Sequence, residues 1–206
     1  FSLEMVEREL IERAISFSTN VPLSQMRRQG GIHRDGIERM TQYYFARDDN
    51  SRIPLWVTDK PRLTASVIAT RTRRMVRRFG VKLIVVDYLQ LMQAENPRDQ
   101  RHLQIGTSCK ILKDLAKESK IGILCLAQLN RVSDSEKPKL SHLRESGDIE
   151  QTADWVGMLH RITDDPDLPV HDYDLLINKN RNGPIGEAPL SYHRAYTRFE
   201  DRNIET

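Results

Sequence analysis

The chain has 206 residues and a net charge of +3, with 38% hydrophobic, 30% charged and 6% aromatic residues, a globular composition on a length that can bury a core without disulfides or metals. No stretch approaches the roughly 20 apolar residues of a membrane-spanning helix; the most apolar run, Leu83–Val86, stops at Asp87. Cys109 and Cys125 form no CxxC pair and the histidines show no HxxxH or HExxH spacing, which excludes a disulfide framework and a zinc site and points to a reducing, intracellular compartment.

In chain order, apolar residues at Met5, Val6, Leu10, Ile11, Ala14 and Ile15 predict an amphipathic helix over Glu4–Ser18 that ends before Pro22. A second helix is expected over Leu23–Gln29, stopped by Gly30-Gly31, and a third over Arg34–Arg47. Pro54–Val57 reads as a short strand. Thr64 is the expected N-cap of an Arg-rich helix that closes at Gly80 and hands over to a strand Lys82–Asp87.

Charge is uneven along the chain. Residues 51–86 hold nine Lys/Arg against one acid, and Arg71, Arg73, Arg74, Arg77 and Arg78 surround an apolar stripe of Val67, Ile68, Met75 and Val76. That surface reads either as a polyanion-binding or acidic-partner patch or, more commonly, as a solvated helix face.

After the polar segment Gln93–Gln100, a long helix is expected with Leu103, Ile111, Leu112, Leu115 and Ala116 on its apolar side, followed by a buried strand Gly122–Leu126. Apolar strands alternating with amphipathic helices predict an α/β fold whose parallel sheet is covered on both faces. From Trp155–His160 and Tyr173–Asn178, through the turn Asn182-Gly183-Pro184, to Ala188–Tyr192 and Tyr196–Phe199, the pattern becomes that of antiparallel strands.

The strongest local motif is Leu83-Ile84-Val85-Val86-Asp87, an apolar strand ending in an acid. The carboxyl ends of such strands are where open α/β sheets bind ligands, and an Asp there holds Mg²⁺ in nucleoside triphosphate sites; an Asp that caps the following helix fits the same pattern. The company it keeps is more specific: Phe1-Ser2-Leu3-Glu4-Met5, Val85-Val86-Asp87-Tyr88-Leu89-Gln90-Leu91-Met92, Leu126-Ala127-Gln128-Leu129-Asn130-Arg131, Leu143-Arg144-Glu145-Ser146-Gly147 continuing to Asp154, and Asn178-Lys179-Asn180-Arg181-Asn182-Gly183-Pro184. In this order, over essentially the whole chain, they resemble the C-terminal motor domain of DnaB-type replicative DNA helicases, a RecA-like hexameric ATPase family of bacteria and their phages.

The resemblance implies a RecA-like P-loop NTPase core, ATP and Mg²⁺ as cofactors, and a single motor domain over residues 1–206. It implies Glu4 as the general base for the attacking water and Asp87 as the Walker B residue holding Mg²⁺ through water. It implies Gln128 as the residue that contacts the γ-phosphate. Lys179 and Arg181 match a pair acting across the subunit boundary, Arg181 as arginine finger, so a homohexameric ring is implied. Arg144, Glu145 and Gly147 match a channel loop holding single-stranded DNA, and Val132–Lys139 reads either as a second channel loop or as an ordinary connection. Primase and a helicase loader are the further implied partners, in the cytoplasm of a bacterial or phage-infected cell.

One departure is large. None of the ten glycines is followed by Lys, so the GxxxxGK[ST] loop that cradles phosphates is absent. The expectation is therefore a fragment that starts inside its fold at Phe1, without the Walker A segment and the collar domain, and inactive alone. The stretch His33–Arg52 is more charged than the family pattern and suggests a phage or prophage branch. The competing expectation is a non-catalytic RecA-like module that binds single-stranded DNA or ring partners; a recombinase or circadian-clock type ATPase fits the Asp-Tyr-Leu-Gln-Leu-Met and Arg-Glu-Ser-Gly motifs less well.

Overall fold

A computed structural model describes residues 1–28, 55–130, 136–143, 147–163 and 165–202. They fall into two compact units. The first comprises Phe1–Val6, Val57–Val156 and Asn178–Pro184; the second comprises Glu7–Trp56, Gly157–Ile177 and Ile185–Thr206.

In the first unit, helix α3 (Ala65–Phe79) starts where the Thr64 hydroxyl accepts the Val67 N–H at 3.3 Å and ends where Gly80 turns left-handed, φ 65°, with its N–H on the Val76 carbonyl at 2.9 Å. Both boundaries are the expected ones, because a side-chain acceptor and a residue free of Cβ strain are local requirements. The buried stripe of α3, however, is Ala65, Ile68, Ala69 and Thr72, while Val67 is exposed. Small residues face inward here, letting the helix approach its neighbour α4 (Arg101–Ser119) closely.

Strand β1 (Leu83–Val86) pairs in parallel with β2 (Gly122–Cys125), from Leu83 opposite Gly122 to Val86 opposite Cys125. Ile84 and Val86 join Leu63, Ile68 and Leu89 in a buried cluster with Ile105, Cys109 and Leu112 of α4. The expectation of a sheet covered on both faces is corrected for the described residues: Leu83 is 58% and Val85 39% exposed, because α3 and α4 both contribute to the cluster on the Ile84/Val86 side. Leu103, expected on the apolar side of α4, is exposed; Ile105, Gly106, Ser108 and Cys109 lie buried instead. Both cysteines are free, and burial pushes the Cys109 thiol up to about 11 and the Cys125 thiol up to about 12.

Ile68 has no exposed surface and packs in this cluster. Truncating it to Ala should destabilise the chain by about 2–5 kcal/mol, seen as a lower denaturation midpoint with the slope of the transition retained.

The second unit holds α1 (Glu7–Thr19) and α2 (Leu23–Arg28). Helix α1 begins three residues later than expected, for a reason set out below, and it buries Glu12, Ile15 and Ser16 while Ile11 is exposed. The Ser16 hydroxyl donates to the Val21 carbonyl at 2.8 Å. A four-stranded sheet runs in the order β3 (Trp155–Arg161), β4 (Val170–Asn180), β5 (Gly186–His193), β6 (Arg198–Asp201). The β4–β5 and β5–β6 pairs are antiparallel, as expected. Tyr192 sits opposite Phe199, their rings 4.7 Å apart, and Tyr173 meets Phe199 edge-on at 5.5 Å. Such cross-strand aromatic pairs pin the register.

Of the expected strand Pro54–Val57, Pro54 lies outside the described residues and Leu55–Val57 form no strand. The expected helix Arg34–Arg47 and the charged stretch His33–Arg52 also lie outside them. Among the described residues no helix is long and apolar enough to cross a membrane.

Candidate nucleotide and subunit-contact site

Three chain segments of the first unit end on the same edge of the parallel pair. The segment Phe1–Leu3 lies along the end of β1: Asp87 N–H donates to the Phe1 carbonyl at 2.9 Å, Leu3 N–H donates to the Asp87 carbonyl at 2.7 Å, and Ser2 is the parallel bridge partner of Asp87. Ser2 N–H is taken by the Thr58 carbonyl at 2.9 Å. The Ser2 hydroxyl then donates to the Met5 carbonyl at 2.6 Å and accepts the Met5 N–H at 3.2 Å. This closed turn competes with helix formation, so α1 starts at Glu7 and Glu4 sits in the turn, exposed, two residues past the bridge to Asp87.

Asp87 directly follows β1 and is half-buried. Gln128 is three residues beyond the end of β2, and its backbone is gripped by the Gln90 amide. Gln90 Nε2 donates to the Gln128 carbonyl at 3.1 Å, and Gln90 Oε1 accepts the Gln128 N–H at 3.1 Å. A side-chain amide thus reproduces one rung of a β-ladder after the strands have ended. The Gln90 carbonyl in turn accepts from the Arg101 guanidinium at the start of α4. Glu4, Asp87 and Gln128 are therefore delivered by three adjacent segments to the carboxyl end of one parallel sheet, the position where α/β folds bind ligands.

A second group forms at helix α5 (Gly147–Thr152). The last carbonyls of a helix have no intrahelical partner and carry the negative end of its dipole. Lys179 donates its ammonium to the Glu150 carbonyl, and Arg181 Nη2 donates to the Gln151 carbonyl at 2.7 Å. The Asp154 carboxylate accepts Arg181 Nη1 at 3.1 Å on one oxygen and Lys113 Nζ on the other. The hydrogen bond from Lys113, helped by the charges of Lys113 and Arg181, holds the Asp154 carboxyl below the usual carboxylate range against burial, the second-largest effect, which raises it. A depressed carboxyl favours the folded state above its ordinary pKa and loses that contribution as the pH falls through the folded value, so this cluster loosens only in acid.

The hairpin that carries Lys179 and Arg181 is shaped by its turn. The Asn180 amide accepts the Asn182 N–H at 3.2 Å and donates to the Pro184 carbonyl at 3.1 Å. A Cβ on Gly183 would stand 2.8 Å from Asn180 Nδ2, so glycine leaves room for that amide.

Of the residues singled out from the sequence, Glu4, Asp87 and Gln128 gather at one sheet edge, and Lys179 and Arg181 gather at the end of α5. Gly147 begins α5, exposed. Arg144 and Glu145 lie outside the described residues, as does part of Val132–Lys139. No role for Gln90, Lys113 or Asp154 follows from the sequence alone. Gln90 and Asp154 lie within the Val85–Met92 and Leu143–Asp154 motifs, which is the signal that marks them, whereas Lys113 carries none. Among the described residues no cluster of three or more His, Cys, Asp or Glu side chains could hold a metal by itself.

A family model described as the DnaB-like helicase C terminal domain matches residues 1–201. The replicative DNA helicase DnaB of Leifsonia xyli subsp. xyli is 37% identical over 206 residues, covering 98% of this chain and 44% of that protein. The DnaB of Mycobacterium leprae is 36% identical over 204 residues, covering 97% of this chain and 33% of that protein. The chain thus spans less than half the length of these curated relatives. Among solved structures, an ATPase domain aligns with TM-score 0.81 at 27% identity over 98% of this chain and 73% of the other. A DnaB-like replicative helicase, solved with its interactions with primase, aligns with TM-score 0.80 at 26% identity over 98% of this chain and 49% of the other. These likenesses bear out the α/β, RecA-like fold class.

Proposed function

Because this chain belongs to the DnaB-like helicase C-terminal domain family, we propose that it is the motor domain of a replicative ring helicase. Such a motor hydrolyses ATP between subunits, moves along single-stranded DNA and separates the duplex. The observation that carries the reading is the parallel bridge of Ser2 to Asp87, which brings an acid suited to water activation and an acid suited to Mg²⁺ to one strand end.

Glu4, exposed in a short turn, orients the attacking water and accepts its proton. Asp87 is a half-buried carboxylate, and this fits Mg²⁺ well: that ion takes one or two carboxylates, keeps waters and completes its shell with substrate phosphates. When bound there, Mg²⁺ supplies neutralisation of phosphate charge. Gln128, clamped through its backbone by Gln90, reports on the γ-phosphate. Lys179 and Arg181 act on the site of the neighbouring subunit, which makes a homohexameric ring the active state. Gly147, with Arg144 and Glu145, belongs to the loop that holds DNA. The phosphate-cradling loop belongs to a segment upstream of Phe1 in the full-length protein, and primase and a loader are its partners in the cytoplasm.

Two experiments test this reading. The codons upstream of Phe1 should encode a glycine-rich loop ending in Gly-Lys-Ser or Gly-Lys-Thr. Single-strand binding by the assembled full-length ring should weaken steeply between 50 and 200 mM salt, with log affinity falling by about 0.7 per log unit of salt for each phosphate neutralised. A flat salt response would remove the phosphate-contact reading, and DNA-independent absence of ATP turnover would favour a non-catalytic module.

A further inference from the structure

The proposed function uses Lys179 and Arg181 as groups that reach out of their own subunit. It leaves open what holds two long, flexible cations in place while they do so. Each has several freely rotating side-chain bonds, and a finger that must be ordered at every turnover works against that freedom.

Asp154 grips Arg181 twice. Its backbone carbonyl accepts the Arg181 N–H at 2.9 Å, and its carboxylate accepts Arg181 Nη1 at 3.1 Å. With Nη2 on the Gln151 carbonyl, the plane of the guanidinium is fixed by two bonds from neighbouring positions. Two of its five N–H groups are engaged in this way, and the other three have no partner among the described residues. The guanidinium is thus anchored on one side with donors left for a phosphate.

The anchor is itself secured. The second oxygen of Asp154 takes Lys113, whose side chain is only 20% exposed on the 19-residue helix α4. Two turns before Lys113, at Gly106, α4 lies so close to α5 that a Cβ would clash with the Asp148 carboxylate. Gly106 and Lys113 are seven residues apart and share a helix face, so α5 is held to α4 near both ends. Asp154 stands at the end of that clamp.

We propose that Asp154 is the positioning residue for the trans-acting pair, holding Arg181 on the rigid α4–α5 support so that its unused N–H groups meet the neighbouring subunit's γ-phosphate already oriented. This rests on the assignment of Lys179 and Arg181 as the trans-acting pair. Gly147 begins the same short helix, so the glycine proposed for the DNA loop and the carbonyls that hold the trans-acting pair stand at opposite ends of α5.

The test is a double-mutant cycle on ATP turnover by the full-length ring, using Asp154→Asn, Arg181→Ala and the two combined. Asp154→Asn should lower kcat on the order of 10- to 100-fold and leave KM for ATP unchanged, because the nucleotide bound by the same subunit is not touched. The combined variant should be no slower than Arg181→Ala alone, since a residue that acts through Arg181 has nothing left to lose. Asp154→Glu, which keeps the charge, should recover part of the rate. A wild-type kcat in Asp154→Asn, or losses that multiply in the combined variant, would overturn the proposal while leaving the finger assignment standing. Full turnover in Arg181→Ala would overturn both. If Asp154→Asn does not assemble, Lys113→Gln, which leaves the Asp154–Arg181 contact in place, should give a smaller kcat loss of the same kind, and an unaltered rate there would count against the support.

Discussion

Replacing Arg181 by Ala should lower DNA-stimulated ATP turnover of the full-length ring by about 10³- to 10⁵-fold, the range over which arginine fingers act in phosphoryl transfer. Nucleotide affinity should change little, since Arg181 is held by Asp154 and Gln151 in its own chain and its proposed target lies on the neighbour. Arg181→Lys should not restore the rate: an ammonium cannot bond both the Asp154 carboxylate and the Gln151 carbonyl in a plane and still present a fork to the phosphate. The decisive measurement mixes Arg181→Ala subunits with subunits carrying Glu4→Gln. An interface that combines the intact Glu4 of one variant with the intact Arg181 of the other recovers turnover only if the arginine acts in trans. Mixed rings as inactive as the least active parent would end the trans assignment.

The parts of this fold that were legible in the sequence are those fixed by neighbours along the chain. Thr64 and Gly80 bound α3 because an N-cap hydroxyl and a left-handed C-cap are local requirements. β1 and β2 announce themselves as short apolar runs, and the Asn-Gly-Pro turn marks the hairpin between β4 and β5. The errors have a common origin in tertiary contact. Periodicity puts Leu103 in the core, but α4 turns Ile105, Gly106, Ser108 and Cys109 inward: Ile105 and Cys109 join the core cluster, and Gly106 makes room for the Asp148 side chain of α5. The hydrophobic pattern starts the first helix three residues too early because the closed bonding of Ser2 with Met5 is invisible to it. The site divides in the same way. Glu4, Asp87, Gln128, Lys179 and Arg181 are found from motif resemblance. Gln90 and Asp154 do their work through hydrogen bonds across 38 and 27 positions of sequence, which no spacing rule anticipates.

Glu4→Gln should remove about 10²- to 10⁴-fold of turnover, the usual contribution of a positioned general base, while ATP and DNA still bind. The amide matches the carboxylate in shape and can still hydrogen-bond the water, so what it loses is the capacity to take up a proton. The position makes the experiment clean. Glu4 is exposed, and the turn that holds it is built by the Ser2 hydroxyl and by backbone bonds of Phe1, Leu3 and Asp87, none of which involves its side chain. Folding stability should therefore stay within about 0.5 kcal/mol of the parent, and any loss of rate belongs to the chemical step. Asp87→Asn makes the contrast: it should weaken the Mg²⁺ dependence of nucleotide binding, which Glu4→Gln leaves intact, because a carboxylate that holds the metal acts before the reaction and a base acts only during it. An unchanged hydrolysis rate in Glu4→Gln would place the general base elsewhere on this sheet edge.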